Sequence, residues 1–215
     1  MDTDFDSDPV YSLHLWPGAL LLAQFVAHNG RLVEGKSVVE LGAGVSGLPG
    51  IAAAKCGAKR VLFTDKADRV EAMTRLRRNC ERNGLADAEI RPLSWGAFSG
   101  KCADERRLLY STEAEDEFDI VLASDCFYDV SVLEPLCATL AWLLAKKPGC
   151  VCYASYQERS TRIGLASWLR RWALDCTVVE SAHLHAQCVR VDAGFQGEYD
   201  RKLSSLKLLR IQNAP

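Results

Sequence analysis

Ser37-Val38-Val39-Glu40-Leu41-Gly42-Ala43-Gly44-Val45-Ser46-Gly47-Leu48 decides the fold. Its first five residues form a short, largely apolar run of strand length, and Gly42, Gly44 and Gly47 follow in a G-x-G-x-x-G spacing. A helical pattern then occupies residues 48–56, and Gly57 suits its end. Strand, glycine turn and helix together make one βα unit, and glycines at the turn let a ligand lie against bare backbone. A tight turn with no ligand would need the same residues.

Outward from this unit the alternation continues. Upstream, Pro17 suits the first turn of a helix running to Ala27. Downstream, strands are expected at residues 60–64, 90–93, 118–124 and 150–156, with helices at 70–83, 133–145 and from Ser160 through Trp172. Closing strands are expected at 176–179 and 206–211, joined by a polar turn at 192–202. Residues 98–117 are polar and charged and predict a surface insertion. The pattern predicts an α/β protein with a largely parallel sheet.

The chain has 215 residues, 25% charged and 48% hydrophobic, which fits one domain with a complete core. Residues 1–12 read as an acidic flexible N-terminus and 13–215 as the domain. The net charge of −2 offers no global field for gripping nucleic acid, so no direct nucleic-acid partner is expected. The start of the chain lacks a signal-peptide pattern, and the apolar run around Leu21 stops at His28, well short of the roughly 20 residues that cross a bilayer. No membrane association is expected, and the expected location is cytoplasmic and nuclear. Nine cysteines without a C-x-x-C pair give no support to a disulfide framework or a zinc site. Cys150 and Cys152 are expected to be buried, on one face of a strand.

Glu40 sits two residues before Gly42. A carboxylate there would repel the pyrophosphate of a dinucleotide but not a sulfonium amino acid, which favours S-adenosylmethionine over NAD. Asp65, at the end of the second strand, can accept hydrogen bonds from ribose hydroxyls, or cap the next helix. Asp125 follows the fourth strand, at the edge where ligands collect in open α/β sheets, with Tyr128 on the same loop. Capping of the next helix is the alternative for Asp125.

Leu15-Trp16-Pro17, Val39 to Gly44, Thr64-Asp65, Ser94-Trp95-Gly96 and Asp125-Cys126-Phe127-Tyr128 form an ordered set. With it the chain resembles the family-16 class I methyltransferases, which modify lysines or arginines of other proteins, from Leu15 to about Ser160. The resemblance implies a single-domain Rossmann-like fold, a seven-stranded, mostly parallel sheet with its last strands antiparallel, and helices on both faces. It implies S-adenosyl-L-methionine as cofactor and no metal. Trp16 would close over the methionyl end, Glu40, Gly42, Ala43 and Gly44 form the loop, and Asp65 hold the ribose. Trp95 would lie by the adenine, the Ser124 backbone contact the cofactor, and Asp125 with Tyr128 serve catalysis. Ala52 to Ala58 and Ala154 to Ser160 strengthen the likeness to a subgroup associated with arginine methylation on histone H3, implying a protein substrate. A lysine target is the alternative, and a non-catalytic cofactor-binding module the second.

Other conspicuous residues read as structural. Arg75, Arg77, Arg78 and Arg82, interspersed with Glu71 and Glu81, make a solvated helix face. Trp168 and Trp172, four apart, form a packed stripe. His183 and His185 have no third ligand at metal spacing. Asp65→Lys is expected to abolish cofactor binding while leaving the fold intact.

Overall fold

A computed structural model describes residues 13–96, 117–157, 164–180 and 205–214. The N-terminal twelve residues, nearly all of the expected insertion, the Ser160 cap, His183, His185 and the 192–202 turn lie outside the described residues.

Seven strands form one sheet in the order β3-β2-β1-β4-β5-β7-β6. They are β1 (Ser37–Leu41), β2 (Arg60–Asp65), β3 (Glu89–Pro92), β4 (Ile120–Ser124), β5 (Val151–Gln157), β6 (Leu174–Val179) and β7 (Leu206–Asn213). Strands β1 to β5 pair in parallel, with Val39 opposite Leu62 on one side and Val121 on the other. At the far edge β7 alone is reversed: it pairs antiparallel with both β5 and β6, so β6 points the same way as the first five. The antiparallel pairing expected of the last strands is present, and it comes from the reversal of β7. A hairpin that folds β7 back between β5 and β6 gives two antiparallel pairings from a single reversal.

Five α-helices are described: α1 (Pro17–His28), α2 (Leu48–Lys55), α3 (Val70–Arg82), α4 (Val130–Lys146) and α5 (Leu165–Arg171). Pro17 opens α1 and Gly57, at φ +85°, follows α2. Helix α4 starts three residues before the expected Leu133, because Asp129 accepts the Ser131 N–H at 2.8 Å and caps it. The first residues of α4 are thereby committed to the helix.

Alternation along the strands splits the core between two layers. Val39, Leu41, Val121 and Ala123 pack with Leu133, Leu136 and Leu140 of α4. Val38 and Leu122 face the other way, into Leu21, Leu22 and Phe25 of α1. Each such fully buried leucine or phenylalanine contributes about 1.5–3 kcal/mol. Cys152 is buried on β5, and Cys150, buried just before it, lies outside the strand expected to hold both. Trp168 and Trp172 pack on the α4 side, with Trp172 closing α5, and the four arginines of α3 are exposed. No described helix is long and apolar enough to cross a membrane. Strand order reverses direction between β1 and β4, and such a switch point opens a crevice at the carboxyl ends of the strands.

Candidate active site

A cleft lies at that edge. The glycine loop after β1 forms its floor, with Gly42 at φ +61° and Gly44 at φ +57°. The Ala43 N–H donates to the Thr64 carbonyl at 2.9 Å, tying the loop to β2. A Cβ on Gly42 would stand 3.0 Å from Cζ2 of Trp95 and 3.1 Å from Sγ of Cys126. Only glycine satisfies both that conformation and that approach.

Asp65, at the end of β2, is nearly buried and lines the cleft. Its Oδ2 accepts the Gly44 N–H and its Oδ1 the Lys66 N–H, each at 2.7 Å. Burial raises its pKa, opposed by those two hydrogen bonds and by the charge of Arg69. A carboxylate oxygen has two lone pairs, so both oxygens retain acceptor capacity toward a ligand. Asp65 is therefore a brace of the loop as well as a lining residue, which the sequence did not disclose.

Glu40 is elsewhere. It is fully buried and absent from the cleft wall, with Oε2 accepting the Gly50 N–H at 2.8 Å in the first turn of α2. Oε1 has no hydrogen-bond partner among the described residues. Burial pushes its pKa up to about 8, against the Gly50 hydrogen bond, and the charge of Asp65 adds to the rise. At neutral pH Glu40 thus keeps its proton and carries no charge with which to repel a pyrophosphate, contrary to the expectation from sequence. Of the ten expected site residues, Glu40 is the one that the fold does not bring to the cleft.

The other nine converge. Trp16, at the N-cap of α1, lines one wall, and Trp95 lines another, anchored where the Gly96 N–H donates to Thr139 Oγ1 at 2.9 Å. Ser124 ends β4, and Asp125 follows with φ +53°, 8% exposed, its N–H donating to the Ser155 carbonyl at 3.0 Å. Tyr128 shares the loop and the cleft. Asp129 takes the cap of α4, so that duty does not fall to Asp125.

His14, Lys66 and Arg69 also line the cleft and were missed. His14 carries the one available signal, standing two residues before Trp16 with its ring 6.1 Å from that indole, edge to face. Arg69 and Lys66 are brought there by the turn after β2, and no residue pattern announces them.

A bare-backbone floor, an indole beside it and two carboxylates at strand ends fit a nucleoside-bearing cation. A Cβ would close the floor at Gly42, aromatic faces attract sulfonium and stack on nucleobases, and Asp65 has acceptor capacity for hydroxyls. The residues present fit S-adenosylmethionine.

Residues 6–164 match a family described as lysine methyltransferase. The chain is 35% identical over 169 residues to the histone-arginine methyltransferase METTL23 of Xenopus laevis, spanning 79% of this chain and 67% of that protein. It is also 35% identical over 156 residues to the protein-lysine N-methyltransferase EFM3 of Chaetomium thermophilum, spanning 69% of this chain and 43% of that protein. Among solved structures, an O-methyltransferase from Bacillus cereus in complex with SAH superposes with a TM-score of 0.54 at 16% identity, over 98% of this chain and 92% of that one. At that identity the likeness is one of fold. With the family matched over most of the chain, and the cleft built where the fold binds its cofactor, the chain belongs to the lysine methyltransferase family and is an S-adenosylmethionine-dependent protein methyltransferase.

Proposed function

We propose that the enzyme methylates arginine side chains of proteins, histone H3 among them, in the nucleus and cytoplasm. Trp16, Gly42, Ala43, Gly44, Asp65, Trp95 and the backbone at Ser124 would hold the cofactor, with Glu40 supporting the loop from behind. Asp125 and Tyr128 would receive the substrate. The observation that carries this reading is Asp125, only 8% exposed in the cleft wall at the carboxyl end of β4. When bound, the cofactor supplies an activated methyl on sulfonium.

The protein's own residues then position, orient and exclude water. A guanidinium stays charged at working pH, so an acceptor must hold and polarise it, and the Asp125 carboxylate can do so. Tyr128, on the same loop, offers a phenol that donates or accepts. The indole of Trp16 would shield the transfer from solvent. Direct binding of nucleic acid or membrane plays no part in this reading, in line with a net charge of −2.

A lysine target is the second reading, favoured by the family's description and by the relative EFM3. A lysine must first lose its proton, from a pKa of about 10.4, and one carboxylate can orient its ammonium. Mass spectrometry of histone H3 peptides after incubation with enzyme and S-adenosylmethionine separates the two, each arginine being replaced in turn by lysine. Methylation that follows the arginines supports the proposal. Methylation that persists on lysine after every arginine is gone overturns it.

A further inference from the structure

Asp125 has a left-handed backbone, at φ +53°, that a residue with a Cβ keeps only when its surroundings impose it. One partner that holds it there is Ser155, fully buried on β5. The Asp125 N–H donates to the Ser155 carbonyl at 3.0 Å and to Ser155 Oγ at 3.2 Å. On the other side of that hydroxyl lies Gly18, the second residue of α1. A Cβ on Gly18 would stand 2.6 Å from Ser155 Oγ, 3.2 Å from Asp125 Cβ and 3.4 Å from Ser155 Cβ.

We infer that Gly18 and Ser155 are positioning residues that set the Asp125 carboxylate for methyl transfer, an inference that rests on Asp125 receiving the substrate. The contact also ties two walls of the cleft, since Trp16 stands at the N-cap of α1 and Asp125 follows β4. Any side chain at position 18 must drive the Ser155 hydroxyl aside. The hydroxyl has one rotatable bond, and turning it away from position 18 takes it off the Asp125 N–H. Glycine here is a requirement of close approach between a helix and a catalytic loop.

The test is a cycle of Gly18→Ala, Ser155→Ala and the double variant, with Asp125→Ala in parallel. Each is read by kcat and KM for methylation of the protein that the wild-type enzyme labels in nuclear extract, and by titration with S-adenosylhomocysteine. Ser155→Ala keeps the carbonyl hydrogen bond and is expected to lose about fivefold in kcat. Gly18→Ala displaces the loop and is expected to lose about a hundredfold, the scale of a 1 Å misplacement. The double variant, freed of the 2.6 Å overlap at Oγ but keeping the 3.2 Å contact with Asp125 Cβ, is expected to recover at least about fivefold over Gly18→Ala, and cofactor affinity stays within about threefold throughout. A merely structural role for Gly18 would give multiplying losses and no rescue.

A Gly18→Ala enzyme of wild-type kcat, or a double variant no better than Gly18→Ala, overturns the inference. Should Gly18→Ala fail to fold, Ser155→Ala decides alone, and a wild-type kcat there overturns it. An inactive Asp125→Ala beside an unrescued double variant removes the positioning device and leaves the catalytic reading standing. A fully active Asp125→Ala removes both.

Discussion

Replacing Glu40 by glutamine changes one buried proton and little else in shape. Unfolded, the Glu40 carboxyl ionises near 4.5, whereas in the folded protein it holds its proton up to about 8. Between those values the unfolded chain has shed a proton that the folded chain keeps, so the folded state loses ground as pH rises. The site's contribution is whole below pH about 4.5 and falls by about 1.4 kcal/mol per pH unit, reaching a loss of about 5 kcal/mol near pH 8. A glutamine side chain does not ionise, so in Glu40→Gln the contribution is flat across this window. The amide carbonyl can still accept the Gly50 N–H, and one amide N–H replaces the O–H of the protonated acid where Oε1 has no partner among the described residues, but the second N–H is a further unsatisfied donor, a constant cost of about 2 kcal/mol. Wild type is therefore expected to be the more stable below pH about 6, and Glu40→Gln the more stable above it. Urea unfolding followed by tryptophan fluorescence, at half-unit steps from pH 5 to 8, gives both curves, and ionisations common to the two proteins cancel in their difference. Parallel curves, or a wild type that gains on the variant as pH rises, would refute a neutral Glu40 in the core.

Gly42→Ala puts a side chain at φ +61° and within 3.1 Å of Trp95 and Cys126, and is expected to weaken S-adenosylhomocysteine binding at least about tenfold by calorimetry. Unchanged affinity would mean the loop is not the cofactor's floor. Asp65→Lys strips the Gly44 and Lys66 N–H groups of their acceptor and buries an ammonium, so it is expected to cost about 3 kcal/mol or more in chemical denaturation as well as cofactor binding. The milder expectation from sequence, loss of binding with the fold intact, treated a brace as a free strand end. A stable Asp65→Lys protein would restore it.

Legibility tracked continuity along the chain. The β1 to α2 unit could be read because an apolar run, three glycines and a helical pattern stand next to one another, and its limits agree to a residue or so. The start of α4 was harder, since Val130 and Val132 are β-branched and only the Asp129 cap marks the true beginning. The sheet's reversed strand was implied, but its place between β5 and β6 depends on how the edge closes, which no local pattern encodes.

Within the site, Gly42, Asp65 and Asp125 were legible because strand ends at a switch point gather there, whatever their chemistry. Glu40 lies behind the cleft wall for a reason of strand geometry. It shares a strand parity with Val38, which faces the α1 layer, so a strand buried on both faces hides it from the cleft. Lys66, Arg69 and Gly18 gain their meaning only from neighbours far off in sequence, as Gly18 does from Ser155.

The role proposed for Asp125 is to receive a protein side chain for a methyl carried by the cofactor in this cleft. Its most direct test compares wild type with Asp125→Ala for transfer of labelled methyl from S-adenosylmethionine to recombinant histone H3, with S-adenosylhomocysteine affinity measured on the same preparations. Wild type is expected to label H3, Asp125→Ala to do so at a rate at least about a hundredfold lower, and the two cofactor affinities to agree within about threefold. Equal labelling of H3 by both enzymes would contradict that role.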